Sequence, residues 1–163
     1  MSLNLMDNPQ NKIVMDILEG LLFINGQDVY KTCGAFLTED KAGDNTNYAA
    51  LLTPPKMKAY TAVSFREQDG EKLPDKLTPA FEARDVTLQF AITGNGKAGF
   101  IKNYQAFLGL LKSGWLDVRL PELGKTYRMY YKESTGYDQL TTLDETTVAG
   151  KIKVKFREPV PTI

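Results

Sequence analysis

In "RDVTLQFAIT", residues 84–93, the side chains sort into two sets. Val86, Leu88, Phe90 and Ile92 fall on one side, and Asp85, Thr87, Gln89 and Ala91 on the other. A period of two marks an extended strand with one dry face, because successive side chains leave the backbone in opposite directions. The pattern recurs in "MKAYTAVSFRE", where Met57, Ala59, Thr61, Val63 and Phe65 oppose Lys58, Tyr60, Ala62, Ser64 and Arg66. It recurs again near the end, where Ile152, Val154 and Phe156 oppose Lys151, Lys153 and Lys155. Strands of this kind belong to antiparallel sheets.

Turn chemistry orders the rest. Asn25-Gly26 is a strong hairpin signal and predicts two strands over residues 20–39. "WLDVRLPELGKTYRMYYKEST" predicts two strands around a turn from Pro121 to Gly124. Residues 40–56 and 67–82 are polar and Pro-containing, so they are expected as long loops. "GYDQLTTLDETT" is expected as a loop with a short strand. One helix is expected, over about residues 98–112. There Phe100, Tyr104, Phe107, Leu108 and Leu111 form a stripe of helical period, and Gly114 follows as a stop. The expected fold is mainly β, an antiparallel β-sandwich or barrel with that helix on its flank. Residues 1–12 lack periodicity and are expected to form a flexible arm. Residues 13–163 are expected to form a single β-rich domain, since 163 residues suit one core.

Charge and composition exclude several functions. Lys plus Arg and Asp plus Glu both total 20, so the chain lacks the basic excess that phosphate backbones attract. Nucleic acid is not expected as a partner. Histidine is absent and there is one cysteine, Cys33, expected as a small buried residue. That removes the commonest general base, the usual zinc sites and any internal disulfide. "IVMDILEGLLFI" carries Asp16 and Glu19 and is too short to span a membrane or to read as a signal peptide.

The stretch after the cleanest strand raises an enzymatic alternative. Gly94, Gly96 and Gly99 fit G-x-G-x-x-G between a strand and a helix, and Asp117 lies near the offset of a ribose-binding acid. Three features oppose a nucleotide site. The strand carries polar residues on one face, whereas a dinucleotide fold buries both. Only one crossover helix is expected. Asp117 sits near the start of its strand rather than at a carboxyl end. No Gly-Lys-Ser or Gly-Lys-Thr offers a Walker loop.

Other constellations have a plain reading beside the chemical one. Asp40, Asp44 and Asn45 share calcium-ligand chemistry but not the order of an EF-hand loop. Glu67 with Asp69, and Asp144 with Glu145, offer carboxylate pairs for glycoside cleavage, and surface carboxylates are the simpler reading. Tyr127, Tyr130 and Tyr131 beside Arg128 suit base or sugar stacking, and also suit a sheet. Lys151, Lys153 and Lys155 suit phosphate, or the guarding of an exposed strand edge. Trp115 is expected as a core anchor. No catalytic residue, cofactor site or metal site is assigned.

The order of these pieces resembles a known family. "LLFINGQDVYKTCGAFL" resembles the opening hairpin of distal tail proteins of long-tailed bacteriophages, and "SFREQDGEKLP" the segment that follows. The long stretch from Ala83 to Ser134 resembles the strand, single helix and strand pair of those proteins, and "AGKIKVKFREP" their closing strand. Tail-tube proteins and tube proteins of contractile secretion systems share this plan. The resemblance implies a structural subunit of a virion tail, made in the bacterial cytoplasm, that assembles with itself into a ring, usually of six. It implies tail-tube and baseplate hub proteins as partners. A non-catalytic carbohydrate- or peptide-binding β-sandwich is the alternative, and a carboxylate enzyme a third.

Overall fold

A computed structural model describes residues 18–162. The expected arm at 1–12 lies outside the described residues. The elements run β1 (Phe23–Ile24), β2 (Gln27–Asp28), α1 (Val29–Cys33), β3 (Ala35–Leu37), α2 (Thr46–Leu52), β4 (Arg84–Asn95), α3 (Gly96–Leu111), β5 (Trp115–Leu120), β6 (Lys125–Gln139) and β7 (Thr147–Glu158). The fold is mainly β, and every strand pair is antiparallel. The seven strands form one open sheet in the order β2-β1-β5-β6-β7-β4-β3 rather than a closed barrel.

The alternation dictates the layers. Val86, Leu88, Phe90 and Ile92 of β4 are buried beside Leu116, Val118 and Leu120 of β5 and Ile152, Val154 and Phe156 of β7. Phe100, Phe107 and Leu111 of α3 close over them. The Phe107 ring lies 5.0 Å from that of Phe90. The expected helix is thus present, and its stripe is the packed face.

The opening hairpin is shorter than expected. Asn25 and Gly26 both take positive φ (52° and 79°), which suits the tight turn that their sequence signals. The expected second strand, however, breaks into α1 and β3. Asp28 caps α1 by accepting hydrogen bonds from the amides of Tyr30 and Lys31, and Gly34 ends it with φ 61°. A helix also interrupts the expected loop at 40–56, where α2 buries Asn47 and Leu51. β6 continues into "GYDQ", so the short strand expected there is the end of a long one.

The largest departure is at residues 57–66. Their alternation predicts a strand in the sheet, yet they join none of the seven. They fold back on residues 72–82 through two isolated bridges, Met57 with Phe81 and Val63 with Lys72. All of residues 61–80 are exposed. The segment is a hairpin arm that leaves the body after α2 and returns at β4.

Candidate functional site

The glycine loop is explained by packing. A Cβ on Gly94 would lie 2.4 Å from the Phe100 amide nitrogen and 2.5 Å from the Gly99 carbonyl carbon. Only glycine allows the first turn of α3 to rest on the end of β4. The Gly96 amide donates to the Thr146 carbonyl at 2.8 Å. Asp117 sits within β5, 3.5 Å from Arg128. The first amide of α3 therefore meets protein.

The other candidates separate. Asp40 binds Lys151 (2.7 Å) and accepts from Gln89 (3.2 Å). The Lys151 bond, above all, holds the Asp40 carboxyl below the usual carboxylate range. Asp44 accepts from the Lys41 amide, and Asn45 donates to the Gly43 carbonyl. Among the described residues no three acidic or cysteine side chains gather as a metal cluster. Glu67 and Asp69 lie exposed on the arm, and Asp144 and Glu145 in the turn before β7. Tyr127 is buried, Tyr130 is exposed and Tyr131 packs at the margin of the core, so the tyrosines do not form one platform. Cys33 is buried, as expected, and burial pushes its thiol pKa up.

Two expectations are corrected. Lys151, Lys153 and Lys155 do not guard an edge, because β7 lies between β6 and β4. They stand on the sheet's wet face, where Lys151 pairs with Asp40 and Lys155 with Glu133. Trp115 is not a core anchor. Burial in β5 falls on Leu116, Val118 and Leu120, so the parity of the strand turns Trp115 outward, 49% exposed. The Arg128 guanidinium lies 4.4 Å from its ring centroid, and Tyr130 meets it edge to face at 5.9 Å.

What remains open is backbone. Two strands of the sheet have their pairing extended by asparagine side chains. Asn25 accepts from the Asp117 amide (2.9 Å) and donates to the Trp115 carbonyl (3.2 Å), completing β5 beyond its contact with β1. Asn47 accepts from the Gln89 amide (2.7 Å) and donates towards the Gln89 carbonyl (3.5 Å), extending the cover that β3 gives to β4. β6 has no such device. β5 ends opposite Tyr130, so among the described residues the strand pairs with β7 alone from Tyr131 to Gln139. Residues 132–139 are exposed, with Tyr137, Leu140 and Leu143 as apolar surface beside them.

The arm is the second unpartnered feature. Met57, Val63, Phe65, Leu73 and Leu77 are each between 38% and 48% exposed. Its base is rigid. Arg84 donates to the carbonyls of Thr53 (2.6 Å) and Leu51 (3.0 Å) and to the buried carboxylate of Glu158 (3.1 Å). Glu158 also accepts from the Thr162 amide at 3.2 Å. One guanidinium thus ties the end of α2 and the first residue of the arm to the last strand.

A third feature is a cleft of about 310 Å³ between β3, α2 and the turn after β5, lined by Leu21, Tyr30, Phe36, Leu37, Tyr48 and Leu120. Tyr48 donates to Glu122 at its rim. Burial, and then that carboxylate, push the Tyr48 pKa up to about 12. The cleft is mostly apolar and brings no acid–base pair together. Among the described residues, no helix is long and apolar enough to cross a membrane.

No family model matches the chain, and no curated protein matches it. Among solved structures, the fold is similar to that of the SPP1 Dit protein, described as a paradigm of the hub adsorption apparatus of Gram-positive infecting phages. The TM-score is 0.52 at 13% identity, over 86% of this chain and 52% of that one. The chain therefore spans about half the length of that protein. At this identity the likeness is one of fold alone.

Proposed function

We propose that the protein is a structural, non-catalytic subunit of a phage or prophage tail ring, joining the tail tube to the hub at the tip. The observation that carries this reading is the Dit-like fold across 86% of the chain. The open edge of β6 and the projecting arm agree with it, since both are surfaces a lone globule would be expected to cover. Equal numbers of acidic and basic residues leave little net repulsion between copies. The ring is expected to be six-fold and to reside in the virion tail. Its partners are copies of itself, a tube protein and a hub protein.

Negative-stain microscopy of concentrated protein, alone and mixed with the products of the adjacent genes, tests this directly. Closed six-fold rings are the expected outcome. Monomers under every one of these conditions would overturn the reading.

A binding module is the second reading, and one observation favours it. Trp115 and Tyr130 stand exposed beside Arg128, a surface on which a sugar ring can stack. Trp115 is the single tryptophan, so its fluorescence reports that surface alone. A saturable change on titration with host-wall oligosaccharides, abolished in Trp115→Ala, would favour the module. The ring reading expects no change.

A further inference from the structure

The arm and the open edge are complementary, and they lie on the same chain. Residues 57–66 have the composition and period of a strand but no sheet to join. Residues Tyr131–Gln139 are a strand whose outer edge has no neighbour among the described residues. We propose that residues 57–66 of one copy add as an extra strand to the outer edge of β6 in the next copy. This rests on the assembly reading above and names its contact.

Four observations carry it. The lengths match, since each segment spans close to the same number of residues. Asn25 and Asn47 extend the cover of β5 and β4, and among the described residues β6 keeps the longest run of strand with one side unpaired. β6 carries register shifts between Tyr131 and Glu133 and between Ser134 and Gly136. Bulges twist an edge and break its regular ladder, which restricts the strands able to pair with it. Finally, the reach is sufficient. From Met57 to the tip the arm extends at most about 40 Å at about 3.3 Å per residue, against a body whose radius of gyration is about 15 Å.

Main-chain hydrogen bonds supply the affinity in this kind of contact, and alternate side chains supply the register. Val63 and Phe65 share one face of the arm strand, and Tyr137 and Leu140 stand exposed where that strand would arrive. Donor and acceptor are different surfaces, so the contact runs head to tail and propagates from copy to copy.

The test uses a peptide of residues 55–68 and a chain in which residues 57–80 are replaced by a short Gly-Ser linker. Amide hydrogen exchange is read at Tyr131–Gln139. Saturating peptide is expected to slow exchange there at least about tenfold. Unchanged rates at those amides, or protection confined to the cleft around Tyr48, overturn the proposal. Should the shortened chain fail to fold, intact protein at rising concentration is compared with A62P/S64P, whose prolines remove amides on the side of the strand away from the hairpin's own bridge at Val63. Protection of Tyr131–Gln139 that grows with concentration only in the parent chain supports the contact, and equal profiles overturn it. Sedimentation of the same samples separates the two readings. A protected edge in dimers or open filaments keeps strand addition and removes the ring. Closed rings with an unprotected edge keep the ring and overturn strand addition.

Discussion

Asn25 and Asn47 each do with one amide group what a neighbouring strand does with a peptide. Their donors and acceptors sit on one planar group, as in the backbone, so they finish a ladder without lengthening it. Asn47 is nearly buried, and its loss orphans the Gln89 amide. Asn47→Ala is expected to cost about 1–3 kcal/mol in urea unfolding. Arg84 is more consequential, because Glu158 is only 1% exposed. Arg84→Met strands that carboxylate and is expected to cost about 3–5 kcal/mol, with R84M/E158L recovering part of it. Asp85 sets a pH dependence. Its hydrogen bond from Arg157, and then that from Lys132, hold its pKa below the usual carboxylate range. A lowered folded pKa gives stability that is complete above the ordinary carboxylate pKa and lost as pH falls through the folded value. Solvent screening keeps this within about 1 kcal/mol. Asp85→Asn is expected to flatten the acid limb of the stability profile below about pH 4 and to lower the plateau above it by that same contribution. Asn25 was legible in the sequence because Asn-Gly has a local meaning. Arg84 and Asn47 were not, since the partners that define their roles lie 31 to 74 residues away, and the outward turn of Trp115 was not, since packing sets the parity of β5.

At the scale of elements, the core strands and α3 were legible wherever a period ran long enough to choose a face. Phe107 is fully buried on the expected stripe. Phe107→Ala is expected to cost about 3–5 kcal/mol, measured by thermal or chemical unfolding. α1 and α2 were missed because five and seven residues carry too little period to read. The glycines before α3 were misleading for a physical reason. A phosphate cradle and a tight strand-to-helix contact both require a residue without a Cβ. Titration with ATP, NAD and NADP is expected to leave the melting temperature unchanged. The three lysines of β7 looked like edge guards because alternation shows which face a residue takes, not which neighbours its strand has. Residues 57–66 invert that lesson. Their pattern was read correctly as strand-forming, but the pairing that such a pattern calls for is not within the fold. Deleting residues 57–80 is expected to leave the melting temperature within a few degrees of the parent, since residues 61–80 bury nothing in the body.

For the whole molecule, the functional reading came from the order of the pieces rather than from any reactive group. A chain without histidine and with one buried cysteine has little chemistry to reveal, and its candidate carboxylates are engaged in ion pairs or dispersed over the surface. What distinguishes the described residues is an incomplete surface: a sheet open along one strand and a hairpin with no floor beneath it. The clamp at the foot of that hairpin has a mechanical meaning. A projection roughly 40 Å long is a lever, and a rotation of about 5° at its root displaces the tip by about 3.5 Å, three-quarters of the spacing between paired strands. Angular play of that size would let the tip slip sideways by almost a full strand. By tying the carbonyls of Leu51 and Thr53 to the carboxylate of Glu158 through one planar cation, Arg84 fixes the pivot. The aim of the distal end is then set within the folded body itself, before anything is there to receive it.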